Sequence, residues 1–352
     1  MCLVYFQFIN NNKGELLMKQ LIRTSLLTLP LLFSAGVTAQ EATDYEPPRT
    51  ASGKPDFQGN WTNASITTLQ RHPRYDYLVI APEDLEQVTA QHPQNVRQAT
   101  DDNLADRELG ELLDGSDLAM GRGYNAFWID PGSRFGSVRG EYRTSWIIDP
   151  PDGRIPSSEQ GEQLRQQTRE TWINNDGPEG RSLGERCLIG FGSTGGPPML
   201  NVLYNNNYTF VQTDDYLMIL VEMNQDARII PIDGEHRPAE WQRWLGDSIA
   251  WWEDDTLVVE TRHVHPQQGR RNTVNLSDEG VVTERFTRYS DEQILYEFTV
   301  EDPVYYSQPW HGELSFNTTG DRVFEYACHE GNYGLPGILA GARHEEAAQD
   351  GN

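Results

Sequence analysis

From about residue 200 onward the chain alternates short apolar-rich runs with polar breaks at regular spacing. The runs cover residues 208–212, 216–222, 227–232, 248–252, 256–263, 281–289, 294–301, 310–316 and 322–328. Between them sit Thr213-Asp214-Asp215, Asn224-Gln225-Asp226, Glu253-Asp254-Asp255, Ser290-Asp291-Glu292 and Thr319-Gly320-Asp321. Short Asp-, Asn- and Gly-bearing links between strands predict hairpins, and consecutive hairpins predict an antiparallel meander. Nine such runs favour a barrel or a strongly curled sheet, because closure removes exposed strand edges.

The first half is less regular. Pro82-Glu83-Asp84-Leu85 opens a short helix, and residues 157–172 read as another, with Ser157 and Gln160 spaced for a capping box. Pro- and Gly-rich connections such as Asp149-Pro150-Pro151-Asp152-Gly153 predict long loops laid over the sheet. Gly59-Asn60-Trp61 is a Gly-x-Trp of the kind that starts the first strand of lipocalin-type barrels. The expected fold is therefore mainly β: an antiparallel meander forming a barrel-like, lipocalin- or calycin-like domain, with an irregular and partly helical N-terminal half.

The N-terminus changes the count of what folds. A basic start at Met18-Lys19-Gln20-Leu21-Ile22-Arg23, an apolar stretch over 26–33 and the small residues Val37-Thr38-Ala39 form a secretory signal peptide, with residues 1–17 upstream of it. The expected organisation is thus an upstream extension and signal peptide over 1–39, the irregular half over 40–200, the meander over 201–335 and a tail over 336–352. Periplasmic or extracellular export follows, with no membrane insertion after cleavage, since no later stretch reads as membrane-spanning. The whole chain of 352 residues carries a formal charge of −25, and nucleic acid and anionic membrane surfaces are poor partners for it. Removing the leader discards Cys2 and leaves Cys187 and Cys328, an even pair that an oxidising compartment would join. A free-thiol nucleophile is the alternative.

The segments YNAFWIDPG, TSWIIDPPDGRIP, ERCLIGFGSTGGPPML, YNNNY, QTDDYLMILVEMNQDARIIPIDG, WLGDSIAWWEDDTLVVET, VTERFTR, LYEFTVEDP and YACHEGNYG cover much of the mature chain. Together they resemble an uncharacterised family of secreted bacterial proteins. The resemblance implies export and a mostly β fold, and it implies no reaction. Glu253-Asp254-Asp255 departs from the Glu-Gly-Asp expected at that hairpin.

Candidate chemistry centres first on YACHEGNYG, where His329, Glu330, Asn332 and Tyr333 crowd the end of the last predicted strand. His329 as base or acid, supported by Glu330, Tyr333 and Arg271, matches the residue types that proton abstraction beside a carbonyl requires. Asn205, Asn207, Asn332 and Trp310 would bind the substrate. Period-two alternation also sorts the strands. Val282, Glu284, Phe286 and Arg288 oppose Thr283, Arg285 and Thr287; Tyr296 shares a side with Ile294 and Phe298, against Glu297 and Glu301; Glu313 opposes Leu314 and Phe316. Were the polar side interior, Glu284, Glu297, Glu301 and Glu313 would line a ligand cavity, with Tyr296 a further substrate-binding candidate and the carboxylates paired with Arg271, Arg285 or Arg288; the alternative is a solvated outer face with cross-strand ion pairs. No cofactor is expected; a divalent metal at His263, His265 and His311 is the alternative. Gly190-Phe191-Gly192-Ser193-Thr194-Gly195-Gly196 follows no strand and lacks the lysine of a phosphate loop, so it reads as a flexible or ligand-covering loop.

The functional expectation is a secreted enzyme of lyase, isomerase or hydrolase type, using acid/base chemistry on a polar small molecule or glycan fragment. The alternatives are a non-catalytic, calycin-like ligand-binding protein and a structural or surface-associated module. An enzyme should show His329 in a solvated cleft with ionisable partners, a binder an apolar cavity with few of them, and a module a filled barrel.

Overall fold

The computed structural model describes residues 45–104, 131–171 and 175–350. The expected signal peptide and most of YNAFWIDPG lie outside them. The described strands are β1 (Gly59–Thr62), β2 (Ser137–Val138), β3 (Glu141–Tyr142), β4 (Ile147–Asp149), β5 (Asn207–Gln212), β6 (Tyr216–Val221), β7 (Ala227–Pro231), β8 (Asp247–Glu253), β9 (Thr256–Arg262), β10 (Val281–Arg288), β11 (Gln293–Glu301) and β12 (Trp310–Thr318). The helices are α1 (Leu85–Ala90), α2 (Pro93–Leu104), α3 (Glu159–Thr171), α4 (Pro266–Arg271) and α5 (Gly334–Asp350).

Nine strands follow one another in the order β7-β6-β5-β1-β12-β11-β10-β9-β8, and every ladder along that path is antiparallel. The two ends of the path meet at the Ile232–Ala250 bridge, where the Asp233 N–H donates to the Ala250 carbonyl at 2.7 Å. The sheet is a nearly closed barrel. Its two meanders, β5–β7 and β8–β12, are joined through β1, and β4 pairs with β12 beside a register shift at His311 and Gly312.

The lumen is filled. Alternation turns Phe210, Phe286, Tyr296 and Phe316 inward, with the Phe286 ring centroid 5.0 Å from Tyr296 and 6.0 Å from Phe210. The Gly-x-Trp begins the first strand as expected, for two local reasons. Gly59 takes φ +131°, a conformation that side chains with a Cβ rarely adopt. The buried Trp61 indole donates to the Phe57 carbonyl at 2.9 Å and lies under the Arg288 guanidinium at 4.8 Å. At the β8–β9 turn Asp254 occupies the left-handed region at φ 52°, which aspartate tolerates.

Three local expectations change. Ser158, not Ser157, caps α3, its Oγ accepting the Gly161 N–H at 2.8 Å. Residues 334–350, left as glycine-rich chain and tail, form α5. Residues 321–327 take no ladder: one edge of β12 is occupied by β11, the other by β1 and β4, so a further strand has nowhere to pair. Cys187 and Cys328 are bonded, with Cα atoms 5.7 Å apart. No helix among the described residues is long and apolar enough to cross a membrane.

Candidate functional site

The alternation of β7 directs Arg228 and Ile230 inward and leaves Ala227 and Ile229 outside. Arg228 therefore enters the lumen beside Glu284, which is 0% exposed. Its Nη1 donates to Glu284 Oε1 at 2.8 Å and its Nη2 to Oε2 at 2.5 Å; the Tyr296 hydroxyl donates to Oε1 at 2.7 Å. Nη2 also meets Thr261 Oγ1 at 3.2 Å and Ser248 Oγ at 3.3 Å. Buried charges persist only when paired and hydrogen-bonded, and the bidentate geometry supplies both conditions. Burial opposes the Arg228 charge, but the Glu284 carboxylate outweighs it and holds the guanidinium above its ordinary pKa. Burial, and then the Glu284 charge, push the Tyr296 phenol well above its usual value.

Above this network the glycine-rich stretch caps the barrel rather than hanging free. The Tyr208 hydroxyl donates to the Thr194 carbonyl at 3.2 Å, and the Met199 N–H donates to the Tyr296 hydroxyl at 2.8 Å. Residues 193–200 are buried throughout. Gly190 is required by close approach, since a Cβ there would stand 2.6 Å from Met223 Cγ.

Beside the cap runs a groove of about 590 Å³, walled by Ile66, Leu200, Val202 and Met223, with the partly exposed Phe191 and Leu203 also lining it. The Asn201 amide on its wall is already engaged: Nδ2 donates to the Ser65 carbonyl at 2.7 Å, and Oδ1 accepts the Trp146 indole N–H at 2.7 Å. No carboxylate, lysine or arginine lines it among the described residues. His92 is the imidazole on its wall, half-buried, its ring centroid 5.6 Å from that of Phe135 in an edge-to-face arrangement. Burial, assisted by the charges of Arg74 and His72, lowers the His92 pKa. Below the ordinary histidine value the unfolded chain then binds the extra proton first, so His92 favours the fold at neutral pH and loses that contribution as pH falls through the folded pKa. His92→Gln is expected to flatten the rise of unfolding free energy between pH 5 and 7, read by urea titrations at each pH; an unchanged slope would refute the assignment.

The other predicted residues scatter. His329 and Glu330 are exposed on a turn, Tyr333 is 83% exposed, and none of them lines the groove. Asn332 caps instead of binding: its Oδ1 accepts the Leu335 N–H at 3.3 Å and its Nδ2 donates to the Glu185 carbonyl at 2.7 Å. Arg271 Nη1 donates to the Arg181 carbonyl at 2.9 Å, tying α4 to a loop. Asn205 sits in a turn at φ 56°, and Asn207 Nδ2 donates to Glu222 at 2.9 Å. Trp310 is a core residue, 1% exposed against Phe298 and Tyr306. The four carboxylates do not share a face. Glu284 is interior; Glu301 is exposed; Glu313, on the outer face near Glu297, is buried beneath the β2–β3 hairpin and accepts from Arg143 Nη2 at 2.7 Å. Their arginines are Arg228, Arg143 and Arg139, in place of the expected Arg271, Arg285 and Arg288.

The histidines do not converge either. His265 caps α4 and lies against Trp244 at 4.1 Å, His311 meets Thr299 Oγ1 at 2.9 Å, and His263 stands 6.2 Å from His236. Among the described residues no three His, Cys, Asp or Glu side chains are grouped to hold a metal ion. His236, which no motif singles out, lies between Asp247 Oδ2 at 3.1 Å and Glu260 Oε1 at 3.0 Å. Comparison with protein-family models, curated proteins and solved structures yields no match.

Proposed function

We propose that the protein is an exported, non-catalytic, calycin-like binding protein that holds one small apolar or amphipathic molecule in the groove beside the barrel cap. The observation that carries this reading is the groove itself: about 590 Å³, apolar on most sides and free of carboxylate, lysine and arginine among the described residues. That volume lies within the range of drug-sized ligand sites, which are mostly apolar with a few placed polar groups. The leader-like N-terminus and the disulfide support export. Acid/base catalysis draws less support, because His329, Glu330 and Tyr333 are exposed and Arg271 is engaged by backbone carbonyls.

The neutral solvatochromic dye Nile red tests the reading. One equivalent is expected to bind saturably with blue-shifted emission. Leu203→Glu, at a side chain 55% exposed on the groove, is expected to abolish binding without lowering the melting temperature. Ile229→Glu, on the outer face of β7 and 62% exposed, should leave binding intact. Absence of saturable binding, or equal binding by the Leu203→Glu protein, overturns the proposal.

A further inference from the structure

The seam between β7 and β8 carries a second and chemically different cavity. At one end the strands are bridged through Ile232 and Ala250; toward the other they part around a cleft of about 230 Å³. Asp226, Arg228, Arg243, Trp244 and Ser248 line it. Two guanidinium groups in one small cleft stand out in a chain of formal charge −25.

Each polar group there has a definable remaining capacity. Arg228 uses Nη1 and Nη2 on Glu284, Thr261 and Ser248, whereas its buried Nε has no hydrogen-bond partner among the described residues. A buried donor left unpaired is costly, and guanidinium matches carboxylate and phosphate oxygens in geometry and charge. Arg243 is exposed; its backbone fixes the 243–246 turn, accepting the His265 N–H at 2.7 Å and donating to the His263 carbonyl at 3.1 Å. Asp226 Oδ2 accepts the Gly190 N–H at 2.8 Å, which engages one oxygen of the carboxyl, and burial raises its pKa. Glu284 already offsets the Arg228 charge, and Asp226 is the carboxylate that lines the cleft together with Arg243. Trp244, Leu188 and Leu245 supply apolar wall.

We propose that this seam cleft binds a small oxyanion carried on a short apolar tail, a carboxylate or a phosphate monoester of a few carbons, with Arg243 and Arg228 holding the anionic group. A cavity of about 230 Å³ excludes nucleotides and larger acids. The cleft shares no lining residue with the groove.

Isothermal titration of the oxidised, full-length mature protein with butyrate and, separately, with inorganic phosphate tests this. Saturable binding of one or both is expected; butyrate alone identifies a carboxylate site, phosphate alone a phosphoryl site. Arg243→Gln, at an exposed side chain, should weaken binding by about tenfold or more, the loss of one charge-assisted hydrogen bond. Asp226→Asn keeps an acceptor for the Gly190 N–H and removes the opposing charge, so it should leave affinity unchanged or increase it. Nile red binding should be the same in both variants, so that failure at one site is distinguishable from failure at the other. Binding of neither anion, or equal affinity in the Arg243→Gln protein, overturns the proposal.

Discussion

Arg228→Met is expected to cost the fold about 3–5 kcal/mol, because it strands the fully buried Glu284 carboxylate with only neutral partners. Removing one member of a buried ion pair leaves the desolvation cost of the other uncompensated, whereas removing both and filling the volume with apolar groups is often nearly neutral. The double variant Arg228→Met/Glu284→Leu is therefore expected to recover much of the loss. Urea unfolding of the oxidised protein, arranged as a double-mutant cycle, reads both quantities. An Arg228→Met protein within about 1 kcal/mol of the native one would contradict the burial that the lumen network requires.

Loss of the Cys187–Cys328 bond should have an effect of similar size for a different reason. The bridge spans a sequence separation of 141 residues, and loop-closure entropy assigns a loop of that length about 5 kcal/mol as a model-dependent ceiling. Beyond β12 the chain is also held by Tyr326, packed against the barrel core, and by individual hydrogen bonds. The Phe324 N–H meets Glu222 Oε1 at 3.2 Å, Asn332 reaches the Glu185 carbonyl, and Arg343 Nη1 reaches the Asp176 carbonyl at 2.7 Å. Cys187→Ser/Cys328→Ser is expected to lose about 2–5 kcal/mol, and limited proteolysis should cut it first on the C-terminal side of Thr318. Equal stability of the native protein with and without reductant, measured by urea unfolding, would contradict this.

The strands were legible because their turns carry their own chemistry. Asp254 tolerates a left-handed turn, and the runs on either side of it alternate as β8 and β9 do. The same alternation misled at 322–328, where the pattern is that of a strand but both edges of β12 are taken and Phe324 remains 69% exposed. Periodicity reports which side chains share a face; it is silent on whether a partner edge exists. Alternation sets Glu284 beside Val282 and Phe286 and Tyr296 beside Ile294 and Phe298, all of them buried, but it joins Glu284 to no arginine. Arg228 shares its face with Ile230, a readable sign of an interior cation, but its pairing with Glu284 crosses the barrel. Alternation sets Glu313 opposite Leu314 and Phe316, and it is buried by a hairpin over 137–142 that no pattern announces. The groove was the least legible feature. Its walls are irregular backbone around 65–69 and 200–204, joined by the Asn201 amide, a tertiary tie with no period.

The position of β1 between β5 and β12 has a consequence for the time course of folding. It precedes the other described strands in the chain, yet its two ladder partners come much later, Tyr208 opposite Trp61 on one side and Thr318 opposite it on the other. The meanders β5–β7 and β8–β12 form from sequence neighbours, the longest link being residues 263–280 between β9 and β10. Joining them waits on β1, and closing loops that long is inexpensive at equilibrium but slow to search. Until that strand docks, β5 and β12 each present an unpaired edge, so the interval before docking is when association between nascent chains competes with completion of the barrel.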